Sequence, residues 1–191
     1  MAGLVFVLVA CGRQEPPPDQ IDPVIVDTPP VVLEAPTELT EDARFMQEQI
    51  LSITAKDSLR RFAELADETP GFASNFQGLG HYEHWSLLRR IGVDPMGKIE
   101  DLFALPFGVR QVGKEYWFIW PDFAALDEAE LMPQRLSFQD RSRLRALIGE
   151  DGMQSLQQGG VFPGLRTAIS DKGRWVYYVN DIGQGEVSDN D

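Results

Sequence analysis

Apolar residues show clear helical spacing soon after residue 40 of the 191-residue chain. Phe45, Met46, Ile50 and Ile53 recur at the intervals that place side chains on one face of a helix. Thr40 precedes them, and a threonine hydroxyl can accept hydrogen bonds from the free amides of a helix N-terminus. The pattern therefore predicts a helix that begins just after Thr40.

Further helices are predicted by the same periodicity and by the glycine and proline residues that end them. The second helix starts near Asp57 and stops at Thr69-Pro70-Gly71. The others are predicted at residues 83–90, 97–104, 124–131, 138–148 and 153–157.

Alternating patterns predict two β-hairpins. The first covers residues 109–120 and turns at Gly113-Lys114, and its second strand carries bulky side chains on both faces. The second covers residues 166–179 and turns at Asp171-Lys172-Gly173. Two hairpins can pair into one four-stranded sheet whose apolar face the helices cover. The predicted fold class is therefore α+β, with helices packed on a small antiparallel sheet.

The N-terminal part of the chain differs in composition from the segments with helical and strand patterns. Leu4–Ala10 is an uncharged apolar run, too short to span a bilayer but long enough for the apolar core of a signal peptide. Residues 12–39 hold seven of the 13 prolines, which favours an extended, disordered, semi-rigid tether. The domain boundaries that follow are 1–10 for the signal peptide, 11–39 for the linker, 40–182 for the globular domain and 183–191 for an acidic disordered tail.

The net charge of −13 is concentrated in the linker and the tail. The linker contains one basic residue, Arg13, and six acidic residues. Nucleic acid is excluded as a predicted partner, because the chain has no basic stripe that could neutralise phosphates.

Leu8-Val9-Ala10-Cys11 resembles the lipobox of bacterial lipoproteins, and Cys11 is the only cysteine. The resemblance implies a diacylglycerol on Cys11, a further acyl chain such as palmitate on its amine, and removal of residues 1–10. It places the protein in the cell envelope, lipid-anchored to a membrane and facing the periplasm. Gly12, where some lipoproteins carry aspartate, favours the outer membrane. The alternative for the apolar run is a buried strand in which Cys11 is packed.

The globular part also resembles a group of uncharacterised exported proteins of alphaproteobacteria. The resemblance lies in residues 115–123, residues 135–141 and residues 166–179, the last with an Asp-Lys-Gly-Arg-Trp turn. It implies no activity. The early helix pair followed by a sheet is also similar to the cone-shaped nuclear-transport-factor-like fold, although fold alone does not give function.

His81 and His84 are the only histidines, and their spacing would place them on one helix face. A metal held there would need a third ligand, for which Glu83, Asp94 and Asp101 are candidates. Packed or surface histidines are the favoured interpretation, so no metal or other cofactor is predicted. No Gly-x-Ser-x-Gly motif occurs, and neither histidine has a serine and an aspartate partner that the sequence reveals. An enzyme is therefore not predicted.

Aromatic side chains indicate a binding site more strongly than the histidines do. Rings supply contact area at little entropic cost, so aromatic-lined concavities bind peptides, glycans and small apolar molecules. The competing interpretation is a core built on large rings. The candidate ligand-binding residues are Tyr82, Trp85, Tyr116, Trp120, Trp175 and Tyr178.

The leading functional hypothesis is a non-enzymatic, membrane-anchored lipoprotein whose domain binds an envelope protein or another envelope component. The alternative is a binding module for a small molecule or peptide in an aromatic-lined pocket. A metal-dependent hydrolase using His81 and His84 is a third hypothesis. The first predicts an exposed apolar patch and no deep pocket, whereas the second predicts a concave site at the open face of the sheet with at least two of the chain's aromatic residues in its wall.

Replacement of Cys11 tests the anchor. In the native bacterium, Cys11→Ala is expected to release the protein from the membrane fraction, because the thioether that would carry the diacylglycerol cannot form. The measurement is immunodetection after fractionation. Continued partition of the variant with membranes contradicts the lipoprotein hypothesis.

Overall fold

The computed structural model describes residues 35–75 and 80–180. Within these ranges the helices and strands alternate in blocks, helices first. The helices are α1 Glu41–Thr54, α2 Leu59–Glu68, α3 His81–Arg90, α4 Pro95–Phe103, a 3-10 helix Asp122–Ala125, α5 Glu128–Leu131 and α6 Phe138–Gln157. The strands are β1 Ala73–Ser74, β2 Gly108–Val112, β3 Glu115–Trp120, β4 Leu165–Ser170 and β5 Trp175–Asn180.

The strands form one five-stranded sheet in the order β1-β5-β4-β3-β2. All neighbours are antiparallel except β1 and β5, which pair parallel over two residues of each strand. The predicted α+β class is confirmed, and so is the pairing of the two hairpins into one sheet. The short strand β1 is not among the predicted strands, because two residues are too few to show an alternating pattern.

One face of the sheet is covered by α1 to α4. Phe118, Trp120 and Trp175 project from the strands into this core, where they meet Phe62 of α2 and Trp85 of α3, and all five are 2 % exposed or less. Burying a large apolar side chain contributes about 1.5–3 kcal/mol. This layer is therefore the main source of the domain's stability.

The other face of the sheet is covered only in part. The 3-10 helix packs on Ile119 and Ala168, and α5 and α6 form a smaller core of their own beyond it. Helix α6 is broken at Gly149, whose φ of 70° lies outside the helical range. The remainder of this second face, toward β1 and the β2–β3 turn, is left without a covering helix in the described part of the chain.

Helix α1 is tied to the β4–β5 turn through Thr40, the N-cap residue that precedes it. The Thr40 hydroxyl accepts a hydrogen bond from the Ala43 amide at 3.2 Å and donates one to the Asp171 carbonyl at 2.7 Å. Gly173, in the same turn, has a φ of 72°, and a Cβ there would lie 2.8 Å from the Asp42 carbonyl oxygen. The predicted cap therefore also fixes where the helix meets the sheet.

Among the described residues, no helix is both long enough and apolar enough to cross a membrane.

Gly173→Ala is expected to destabilise the domain by about 2–4 kcal/mol, because it combines a left-handed backbone strain with a collision against α1. Gly113→Ala is the matched control. Gly113 has a φ of 63° in the other hairpin turn, yet a Cβ there has no neighbour within 4 Å. We expect the control to cost only about 1 kcal/mol. Urea unfolding measures both, and equal losses for the two variants would contradict this account of the turn.

Candidate functional site

Two of the six predicted ligand-binding aromatics lie deep in the helix-covered core. Trp120 is 1 % exposed and packs edge-on against Phe103, with ring centroids 5.0 Å apart. Trp175 is fully buried, and its indole N–H donates to the Thr167 hydroxyl at 2.9 Å. Both rings have a packing role here, the competing interpretation that the sequence left open.

Trp85 and Tyr178 also pack in this core, but they line a cavity of about 320 Å³ at its edge. The cavity opens between α3, α4 and the β1–β5 edge of the sheet. Burial raises the pKa of the Tyr178 hydroxyl well above its ordinary value, and the hydroxyl donates to the Pro95 carbonyl at 2.8 Å. Tyr178 therefore offers the cavity a neutral ring edge rather than a charge.

The other two candidates lie away from this cavity. Tyr82 is on the surface of α3, where the Arg60 guanidinium lies 4.7 Å from its ring centroid. Tyr116 is half-buried in β3, and its carbonyl accepts a hydrogen bond from the Asp171 amide at 2.7 Å. The six candidates are thus distributed over several places, and the structure brings only Trp85 and Tyr178 together at a cavity.

The two histidines have different surroundings. His81, the first residue of α3, contacts Asp67 through Nδ1 and the Ser74 hydroxyl through Nε2 at 3.1 Å. His84 lies one turn further along and lines the 320 Å³ cavity. No three His, Cys, Asp or Glu residues of the described ranges are grouped as a metal site would require. The third ligands considered from the sequence, Glu83, Asp94 and Asp101, are therefore not assembled around the histidine pair.

A larger concavity lies on the second face of the sheet, in the part that no helix of the described residues covers. Its volume is about 650 Å³. We call it the sheet-face groove. It is lined by Ala73, Arg110, Gln111, Val112, Gly113, Trp117, Ile119, Ala124, Leu126, Val161, Phe162, Arg166, Tyr177 and Val179.

Trp117 and Tyr177 form the aromatic floor of the groove. Their ring centroids are 6.1 Å apart and their planes meet at 68°, an edge-to-face arrangement. The indole Nε1 of Trp117 is buried, and it has no hydrogen-bond partner within the part of the chain that the structure describes. A buried N–H without an acceptor costs about 1–3 kcal/mol, so the floor holds a donor for which an incoming acceptor would be favourable.

The polar wall of the groove is basic. Arg110 stands directly opposite Trp117 in the β2–β3 pair, so the two side chains project from the same face. Arg166 also lines the groove, and its guanidinium donates to the Phe162 carbonyl at 3.0 Å. None of the lining residues within 35–75 and 80–180 is acidic. In a chain with a net charge of −13, this wall is a local exception.

Bulky side chains occupy both faces of β3, and the predicted ligand-binding residues Tyr116 and Trp120 belong to the face that the helices cover. Trp117, Tyr177 and Arg110 were not among the candidates. The available signal was the alternation itself, because Trp117 lies on the opposite face from its neighbours Tyr116 and Phe118. When the second face of a strand is also apolar, either another element of the fold covers it or it stays exposed as a possible binding site.

Cys11 and residues 12–34 of the predicted linker lie outside the described residues. The lipoprotein hypothesis, the envelope localisation and the domain boundaries at 11–39 and 183–191 therefore stay predictions.

No protein-family profile, curated protein or solved structure matches this chain. The similarity to the cone-shaped nuclear-transport-factor-like fold accordingly stays a prediction.

Acidification is expected to destabilise the domain through His84. Burial, and to a smaller extent the neighbouring His81, lower the pKa of His84 below its ordinary value of 6.5. As the pH falls below 6.5, the unfolded chain binds this proton before the folded chain does, so the free energy of unfolding decreases. His84→Gln should remove this part of the pH dependence. Urea unfolding at about pH 7.5 and about pH 5.5 measures it; an unchanged pH dependence in the variant would contradict the assignment.

Proposed function

We propose that the domain is a ligand-binding module on a lipid-anchored stem, and that the sheet-face groove takes an anionic ligand with an apolar or aromatic body. The single observation that carries the proposal is the buried indole N–H of Trp117. It belongs to a side chain that lines an open groove, and it has no acceptor in the described part of the chain.

The charge distribution supports an anionic ligand. Arg110 is exposed, and the described residues give it no hydrogen bond or ion pair. A guanidinium presents a planar set of donors that matches a carboxylate or phosphate. With Arg166 in the same wall, an anion entering the groove meets positive charge.

The size and lining of the groove support an apolar body. A volume of about 650 Å³ lies within the range of about 300–1,000 Å³ that is typical of small-molecule sites. Trp117 and Tyr177 offer ring surfaces, and Val112 and Val161 are exposed at the rim. A ligand of this kind would bury apolar area on the floor while its charged group stayed near the guanidinium wall.

The groove favours the ligand-binding hypothesis over the interaction module that the sequence analysis placed first. An interaction module is expected to show an exposed apolar patch and no deep pocket, whereas this site is concave and is lined by two arginines. Binding to an envelope protein stays a prediction. An acidic, apolar end of such a partner would satisfy the same chemistry.

Binding of naphthoate tests the groove. The full chain is expected to bind this aromatic carboxylate more tightly than naphthylmethylammonium, which has a similar ring and the opposite charge. NMR spectra of a nitrogen-labelled sample should show one indole N–H signal shifted by naphthoate, and Trp117→Phe should remove that signal. We expect Trp117→Phe to weaken affinity by about tenfold, the value of roughly one hydrogen bond.

The control for charge is a second arginine. Arg110→Gln should weaken naphthoate binding. Arg61→Gln should not, because Arg61 lies on α2 and pairs with Glu64 at 2.7 Å. Equal binding of the two ring compounds, or equal effects of the two arginine variants, would contradict the proposal.

A further inference from the structure

We propose that Ser74, His81 and Asp67 form a hydrolytic site that cleaves esters or thioesters of small apolar carboxylic acids. The site lies at the cavity of about 320 Å³ on the helix-covered side of the sheet. It does not depend on the sheet-face groove. Ala73 faces the groove and Ser74 faces the cavity, as successive residues of a strand do.

The aspartate and histidine meet at the junction of α2 and α3. Asp67 Oδ1 contacts His81 Nδ1 and also accepts the His81 backbone N–H at 3.4 Å. A carboxylate at Nδ1 selects the tautomer with the proton on that nitrogen. The lone pair is therefore on Nε2, the nitrogen that faces the serine.

Ser74 supplies the hydroxyl from β1. Its Oγ lies 3.1 Å from His81 Nε2, so the hydroxyl can donate to that nitrogen. The three groups follow the order hydroxyl, imidazole, carboxylate that activates a serine nucleophile. They come from three separate elements, and no motif in the sequence joins them.

The histidine is held firmly enough for this role. Its ring packs against Phe72 and Trp85, with centroid distances of 5.2 Å and 5.1 Å. Its side chain is 16 % exposed. A ring that packs against two aromatic side chains and has polar contacts at both nitrogens is restricted in orientation, as general-base catalysis requires.

The cavity next to Ser74 can hold an acyl group. Trp85, Leu88, Val93 and Tyr178 form its apolar wall. Asn75 also lines it, and its Oδ1 accepts the Asn180 backbone N–H. The Asn75 side-chain NH₂ is consequently the end of that amide that can donate to a developing oxyanion.

The reaction balances with water as the second substrate. Ser74 Oγ forms a bond to the acyl carbon while His81 Nε2 takes the hydroxyl proton, and the carbonyl π pair moves onto its oxygen. When that pair returns, the ester C–O or thioester C–S bond breaks, and the leaving alcohol or thiol takes the proton from His81. Water then attacks the acyl-serine with His81 as base, which releases the carboxylic acid and restores the Ser74 hydroxyl.

In this arrangement Asp67 is a positioning residue, because it acts through His81. A purely structural interpretation is also available for it, since a carboxylate that accepts the first amide of α3 stabilises that helix. The two interpretations differ in the pH–rate profile. A positioning role predicts that Asp67→Asn lowers the rate and moves its pH dependence, whereas a capping role changes only the stability.

The experiment uses the full chain with p-nitrophenyl butyrate as substrate and a fluorophosphonate as serine probe. We expect ester hydrolysis above the buffer rate, and phosphonylation that peptide mass spectrometry assigns to Ser74. Ser74→Ala and His81→Gln should each reduce kcat/KM by about a thousandfold or to background. Asp67→Asn should reduce it less and shift the pH profile.

Ser52→Ala is the matched control, because Ser52 is an exposed serine on α1 away from the cavity. It should keep wild-type hydrolysis. The proposal is overturned if wild-type protein and Ser74→Ala hydrolyse the ester equally, or if the probe leaves Ser74 unlabelled. The labelling result needs no variant, so it decides the question even if Ser74→Ala does not fold. Naphthoate binding by Ser74→Ala reports separately on the groove.

Discussion

The packing of aromatic rings around Trp175 is the constraint on which the rest of the domain depends. The ring centroid of Trp175 lies 4.5 Å from that of Phe72 and 5.2 Å from that of Phe62. Its N–H is satisfied by Thr167, whose hydroxyl in turn donates to the Tyr177 carbonyl at 2.7 Å. The sequence has one cysteine, so no disulfide can replace this packing. Trp175 of β5 thereby holds together α2, which carries Phe62, the segment after α2, which carries Phe72, and the sheet.

The same cluster explains why the two faces of the sheet have such different chemistry. The helix-covered face buries its large rings, and Ser74, His81 and Asp67 contact one another at its edge. The opposite face keeps Trp117 and Tyr177 accessible beside two arginines, because the 3-10 helix covers only the part of the sheet near Ile119. The groove and the polar cluster therefore lie on opposite faces of one sheet, and strand β1 contributes Ala73 to the first and Ser74 to the second.

Local signals in the sequence were sufficient for the elements but not for the sites. Thr40, the two hairpin turns and the alternation of β3 each act over a few residues, so the helix start, the hairpins and the α+β class could be predicted. Ser74, His81 and Asp67 meet only after α2, β1 and α3 have packed, and no spacing rule describes that encounter. Trp85 and Trp120 illustrate the same limit, since both belong to aromatic-rich segments and only tertiary packing decides which ring reaches a cavity.

Strand β1 joins the sheet through the pairing of Ala73 and Ser74 alone, at its edge. Edge segments with so few paired residues open at a smaller free-energy cost than the centre of a sheet. The alignment of the Ser74 hydroxyl with His81 is consequently governed by this local opening equilibrium and not by the global stability of the domain. Sequence changes near β1 could thus alter the fraction of molecules with an aligned serine while leaving the unfolding transition of the whole domain where it was.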